Sequence, residues 1–232
     1  MSTASPTPVE LVRAVSLTEQ IAANIRTRIL KGELRPGERL VEQQLAKALG
    51  VGQNAVREAL FDLAHRGFVR RVVNRGTYVT SLTFEEASKL AEVRGALEAL
   101  AIDLVRRRAN SESIDWAPLE KLLEAMRHAA HAGDREAFYR ADLSWHHELW
   151  RLADNEHLYQ SLEQVVVPLF AFFIMLYMRR DNATESFLEA VDAHQKVVDG
   201  LKTTGGDAAA GAMRELVDLA LKHQQGLIAQ QE

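Results

Sequence analysis

Asp142 and His146 lie four residues apart in a segment with helical periodicity, so both project from one face of a helix. A carboxylate and an imidazole at that spacing can chelate one divalent cation. His194 sits on a separate helix, near the middle of an apolar face made by Val191, Val197 and Val198. One carboxylate and two imidazoles resemble the facial metal sets that activate water or oxygen, which would make the chain an enzyme. Against that, the sequence offers no convincing general base and no phosphate-binding loop. The plainer alternative is a pair of hydrogen-bonded core histidines in a metal-free pocket. His128, His131, His147 and His157 read as surface or rim residues.

A second set of polar residues points to nucleic acid. From Leu34 to Val79 the chain reads LRPGERLVEQQLAKALGVGQNAVREALFDLAHRGFVRRVVNRGTYV. Pro36-Gly37 is a turn. A short helix follows, with Leu40, Val41, Leu45 and Leu49 facing inward. Gly50-Val51-Gly52 is the tight turn between the two helices of a helix-turn-helix. In the next helix Val56, Leu60 and Leu63 make the core face. Asn54, Arg57 and Phe61 lie roughly opposite, with Gln53 at the helix start, where a recognition helix meets base edges. Gly67 ends that helix. Phe68–Val72 and Thr77–Thr80 then read as two strands around Asn74-Arg75-Gly76, the tip of a wing. Arg66, Arg70, Arg71 and Arg75 cluster near it and can reach phosphates, which supply affinity but little sequence information. Double-stranded DNA is the expected partner, with Gln43, Gln53, Asn54, Arg57, Arg71, Arg75 and Gly76 as its contacts.

Charge agrees. Residues 17–80 carry eleven Lys and Arg against six Asp and Glu, and residues 81–232 sixteen against twenty-five. A chain of net charge −4 therefore hides a basic N-terminal third, the asymmetry of a protein that engages nucleic acid through one part only.

These chemistries need scaffolds of different kinds. The fold class expected is mainly α: a tail over residues 1–16, a winged helix-turn-helix over 17–80, a linker at 81–83 and an all-helical domain over 84–232. Thr83 and Glu86 form a capping box that opens the helical part. Helices are expected near 84–109, 116–132, 134–152, 156–180, 184–204 and 207–229. The breaks fall at Asn110-Ser111, Gly133-Asp134, Asp154-Asn155, Asp181-Asn182 and Gly205-Gly206. Bundles of this kind build ligand and metal sites in their cores. The longest apolar run, Val165–Met178, is shorter than the ~20 residues of a membrane span and reads as a buried helix. The absence of cysteine excludes disulfides and thiolate metal sites and fits a cytoplasmic protein.

The PG turn, the LxxxLAxxLGV run, the VREAL helix and the NRG wing resemble the DNA-binding domain of the GntR family of bacterial transcription regulators. Three later segments resemble the FCD effector domain of its FadR subfamily: VRGALEALAIDL (93–104), DLSWHHELWRLADNEHL (142–158) and AVDAHQKVVDGL (190–201). The resemblance implies a homodimer on a near-palindromic operator, with two recognition helices in successive major grooves. It also implies an effector domain that binds a small organic acid. Repression relieved by effector is the common mode of such regulators.

In the FCD pattern the residues matching Asp142, His146 and His194 bind a divalent metal, commonly zinc, with a third His twenty-two positions after His194. Here that position is Leu216. A two-residue extension of the Gly205-Gly206 loop would bring Asp218 to the place. His223 lies two turns further on, roughly 10 Å away at 1.5 Å per residue. Three protein ligands with open positions remain a workable site. Arg94 and Arg140 are candidates to pair with an effector carboxylate, or ordinary ion-paired surface residues. Asn155 matches a family Asn and either contacts effector or caps the next helix. Trp145, Phe172, Phe173 and Tyr177 either line the pocket or are plain core. A regulator in which the metal itself is the signal is the other alternative. The recognition helix departs too: where the family has SRTPVREAL this chain reads GQNAVREAL, with Gln53 in place of Arg. Gln favours adenine where Arg favours guanine, so the operator is expected to differ from the family's GT/AC half-sites at that base.

Overall fold

The computed structural model describes residues 16–178, 184–203 and 208–228. Helix α1 (Leu17–Leu30) opens on a Ser16–Glu19 capping box and buries Ile21, Ile25 and Ile29. The short strand β1 (Arg39–Leu40) precedes α2 (Glu42–Leu49) and α3 (Gln53–His65). The hairpin β2 (Val69–Val72) and β3 (Gly76–Val79) forms the wing, with Val72 paired to Gly76. The sheet runs β1-β3-β2, all antiparallel, with Leu40 opposite Thr77. Leu40 therefore belongs to a third strand and not to the helix expected from its spacing, and Val41 is the N-cap of α2. A two-residue strand shows no alternation, so periodicity could not separate it from the helix that follows. Asn74 takes a left-handed φ of 61° at the wing tip, a conformation that Asn tolerates better than most residues.

The second part is helical throughout: α4 (Phe84–Ser111), α5 (Ala117–Ala132), α6 (Arg135–Leu152), α7 (Glu156–Tyr177), α8 (Thr184–Lys202) and α9 (Ala208–Ile228). The Thr83–Glu86 capping box starts α4 as expected. Observed bounds lie within two or three residues of those read from periodicity. The 1–16 tail, apart from Ser16, and the breaks at Asp181-Asn182 and Gly205-Gly206 lie outside the described residues. By length and composition α7 could cross a membrane. In the fold it is the core helix, with its stretch from Leu169 to Leu176 buried among its neighbours.

The two parts meet along α6 and α7. Arg26 of α1 pairs with Glu136 of α6 at 2.6 Å. Phe68 stands edge-on to Tyr139 at 6.1 Å, and Tyr139 in turn meets Phe170 of α7. Gly67, at φ +73°, lies against the α7 main chain: a Cβ there would stand 2.7 Å from the Val167 carbonyl oxygen and 2.8 Å from Pro168 Cα. Only glycine fits such an approach. Pro168 has no N–H for the helix ladder, and the winged domain rests against α7 at this residue.

Candidate effector site and nucleic-acid interface

Asp142 and His146 come from successive turns of α6, and His194 from the middle of α8. Their donor atoms converge: Asp142 Oδ1 lies 3.0 Å from His194 Nε2 and 3.8 Å from His146 Nε2, and the two imidazole nitrogens are 3.4 Å apart. An ion held at about 2.0–2.2 Å by each donor requires them roughly 3–3.5 Å apart. The set fits one divalent cation with open positions. Asp142 Oδ1 is buried and makes no hydrogen bond, an orphan acceptor that a cation would satisfy.

The outer ring nitrogens are held as metal ligands require. His194 Nδ1 lies 2.6 Å from the Ala190 carbonyl oxygen, so it is the donor and its Nε2 lone pair faces Asp142. His146 Nδ1 lies 3.0 Å from Glu98 Oε1, close but not aligned for a full hydrogen bond. Burial pushes the His146 pKa down, assisted by Arg94 and opposed by Glu98 and Asp142. A lowered pKa favours the neutral, metal-binding form. Burial works to raise the Asp142 carboxyl, but His194, His146 and Arg94 more than reverse it and leave it lowered. Glu98 is wholly buried. Burial would raise its pKa, yet His146, Arg94 and a hydrogen bond from Trp150 Nε1 at 2.9 Å bring it down to about 2. Arg94, 4% exposed, reaches Glu98 at 3.5 Å and places Nη2 3.1 Å from His146 Nε2.

The triad opens into a partly open cavity of about 90 Å³ between α4, α6, α7, α8 and α9. Of the expected lining residues, Arg94, Phe173 and Tyr177 are present. Arg140 is a correction: it is exposed and lies in a shallow surface depression beside His128 and Ser144. Two residues before Asp142, it points about 200° away around α6. Asn155 is another: its Oδ1 accepts the Leu158 N–H at 3.0 Å as the N-cap of α7, and it does not reach the cavity. Trp145 sits behind the site, edge-on to His194, and Phe172 packs on Phe173. Leu216 lines the cavity, while Asp218 is exposed in an outer groove between α8 and α9. The side chain of His223 lies outside the described residues. Arg135, Phe138, Phe170, Ser186 and Phe187 also line the cavity and were missed. Arg135 and Phe138 precede Asp142 by seven and four residues, a spacing that was readable in the sequence.

On the winged domain, a cleft between α2, α3 and the wing is lined by Gln43, Gln53, Arg71, Asn74 and Gly76, with Arg39 and Glu42. Gln53 does not cap α3, whose N-cap is Gly52. Its Nε2 donates to Glu42 Oε2 at 3.0 Å, and Arg57 donates to the same carboxylate at 2.9 and 3.1 Å. Arg57 lowers the Glu42 pKa, and Gln53 adds to this. Glu42 thus ties the Gln53 and Arg57 side chains together at the start of α3. Arg71 stacks on the exposed Phe61 ring at 3.8 Å. Asn54 and Arg75 are exposed outside the cleft. Arg66 is not at the wing; it pairs with Asp62 at 2.9 Å beside α1. Arg70 is exposed on the opposite face of β2 from Arg71. Arg39 was missed because β1 was. Its guanidinium lies against Gly76.

Comparison with known proteins fits this architecture. Residues 17–79 match the family model for bacterial regulatory proteins of the gntR family, and residues 89–219 match the FCD domain. The HTH-type transcriptional regulator YdhC of Bacillus subtilis is 31% identical over 191 residues, 82% of this chain and 83% of that protein. The gluconate operon transcriptional repressor of the same organism is 27% identical over 202 residues, covering 84% of this chain and 80% of the other. The solved structure of McbR/YncC from E. coli shares the fold, with a TM-score of 0.66 and 23% identity over 94% of this chain and 99% of that one. These relatives are regulators, so the enzymatic alternative falls away. The chain belongs to the gntR family of bacterial regulatory proteins and is a transcriptional regulator whose C-terminal part is an FCD domain.

Proposed function

We propose that this regulator is a cytoplasmic repressor whose hold on a near-palindromic operator is released by a small organic acid, anchored on a divalent ion, zinc or similar, at Asp142, His146 and His194. The observation that carries this reading is the buried donor triad facing a cavity far larger than an ion. That space favours an organic ligand as the signal and the metal as its anchor. When bound, the ion would offer a Lewis-acidic position to a carboxylate. Arg94 now faces the same His146 lone pair, which serves one cation at a time, and its guanidinium suits the second carboxylate oxygen. Tyr139 and Phe170 line the cavity and touch the Phe68 contact with the winged domain, a short path from effector to DNA. Coupling of this kind is reciprocal: operator must change acid affinity by the same factor. Fluorescence anisotropy of a labelled upstream DNA, titrated with the protein and a panel of carboxylic acids, tests it. Operator affinity indifferent to every acid would refute effector control.

The operator itself carries an expected departure. With Gln53 held by Glu42 at the cleft, binding-site selection should return adenine in place of the family's guanine at the base Gln53 reads. Gln53→Arg should shift the preference back by about 1–3 kcal/mol. Recovery of ordinary GT/AC half-sites by the wild-type chain would defeat the idea.

A homodimer follows from a two-fold operator. Val93, Leu97, Leu100 and Leu104 form an apolar stripe on α4, with Val93 48% and Leu100 43% exposed. Outside the buried Arg94 and Glu98, the first half of α4 carries Glu85, Glu86 and Glu92 against Lys89, and the last half Arg106, Arg107 and Arg108 against Asp103. A second copy laid antiparallel brings opposite charges together around that stripe. Leu100→Glu is expected to yield monomers in analytical ultracentrifugation. An unchanged dimer would place the contact elsewhere.

A further inference from the structure

The cavity has two polar ends, not one. The inner end holds Asp142, His146, His194 and Arg94, all but Asp142 fully buried. The outer end is formed by Arg135 at the start of α6 and Ser186 near the start of α8, both half-buried. Arg135 is seven residues before Asp142, which is two turns along the same stripe and about 10 Å up the helix axis. Ser186 precedes His194 by eight residues, a similar rise on the facing helix. Between the ends the lining is aromatic and aliphatic. Phe138 and Phe187 stack at 4.1 Å, and Tyr177 leans on Phe187 at 5.5 Å. Phe173, Ile174 and Leu216 complete the waist.

Arg135, Arg140 and Arg214 have no ion pair among the described residues, and of these three only Arg135 lines the cavity. Arg106, Arg107, Arg127 and Arg151 pair with acids on their own helices, and Arg108 with the C-cap residue Glu112. The neighbour of Arg135, Glu136, is taken by Arg26. Arg135 has no ion pair among the described residues and faces the cavity. A cation half-withdrawn from water with no counter-charge among the described residues makes a good anion receptor.

We infer that the effector is a two-ended acid: a carboxylate at the metal end, an apolar body through the aromatic waist, and a second anionic group on Arg135 about 10 Å away. This rests on the acid-binding reading of the cavity proposed above, and specifies which acids it takes. The dicarboxylate suberate and the monocarboxylate octanoate have the same eight-carbon chain and differ only in the far end. Calorimetric titration of the zinc-loaded full chain should show suberate binding about tenfold more tightly, the worth of one charge-assisted pair. Arg135→Gln should erase that advantage while leaving octanoate binding unchanged. Equal binding of the two acids by the wild type, or a suberate advantage that survives Arg135→Gln, overturns the inference and leaves the acid pocket standing. Binding of neither, with succinate, butyrate and benzoate also silent, fails the acid-pocket reading itself and the inference with it.

Discussion

Glu98→Ala should destabilise the helical domain by about 3–5 kcal/mol, the cost of removing one partner from a buried charge network. Glu98 is fully enclosed, and three groups depend on it. Arg94 loses its counter-charge while 4% exposed. Trp150 loses the acceptor of its indole N–H, and His146 loses the carboxylate beside Nδ1. None of the three can turn to water without opening the packing of α4 against α6. Glu98→Gln keeps an acceptor for Trp150 but not the charge, so it should fall between the wild type and Glu98→Ala. Urea unfolding followed by tryptophan fluorescence measures both, since Trp145 and Trp150 are buried beside the site. A loss below about 1 kcal/mol for Glu98→Ala would mean that water already satisfies the network. Zinc affinity supplies a second readout, because loss of an outer partner of a ligating His costs about 10–100-fold.

The same residues show what the sequence could and could not convey. Asp142 and His146 were legible as a pair because four residues make one helical turn. His194 was placed on an apolar face by its valine neighbours, and the fold brings all three within 4.8 Å. Glu98 was not legible. In VRGALEAL a glutamate one turn after an arginine reads as a surface ion pair, and only packing of α4 on α6 reveals burial. Arg140 failed for the converse reason: an arginine near a site suggests a ligand, but its phase on α6 turns it to solvent. Asn155 stands at the start of a helix, and the capping role already weighed against effector contact is the one it plays. The wing and α3 were legible through turn residues and periodicity, whereas β1 is too short for either.

The contact between the two parts was also outside the reach of pattern reading. Gly67 was read as the end of the recognition helix, which its positive φ supports. Its second constraint, the backbone of Val167 and Pro168 within 3 Å of a Cβ position, involves residues a hundred positions away. One stack leads from the metal end of the cavity through His146, Phe170 and Tyr139 to Phe68. Phe68 immediately precedes the wing. A ligand that shifts Phe170 or Tyr139 acts on a contact where glycine leaves no slack, and packed interfaces of this kind respond by switching between arrangements.

Asp142→Ala and His194→Ala should each abolish the response to effector while leaving effector-free operator affinity unchanged. The triad has three protein donors among the described residues, and Leu216 occupies the place where the family has a further imidazole. Among the described residues no spare ligand compensates for a loss. Removing one donor leaves two, and zinc affinity should drop by more than about 100-fold, beyond the upper range for loss of an outer partner. EDTA treatment of the wild type should reproduce the variants, and re-addition of zinc should rescue the wild type alone. Both substitutions are tolerable to the fold: Asp142 lies on the cavity wall with its side chain 17% exposed, and His194 sits in a face already built by Val191, Val197 and Val198. The decisive comparison is anisotropy of the labelled operator with and without acid, alongside zinc content measured on the same samples. If the variants lack zinc yet still release DNA with acid, Arg94 reads the carboxylate unaided and the two histidines are core residues after all. If wild-type protein binds no zinc and its acid response survives EDTA, the absence of a third imidazole at Leu216 leaves a guanidinium-anchored pocket, in which Arg94 keeps the lone pair of His146 permanently.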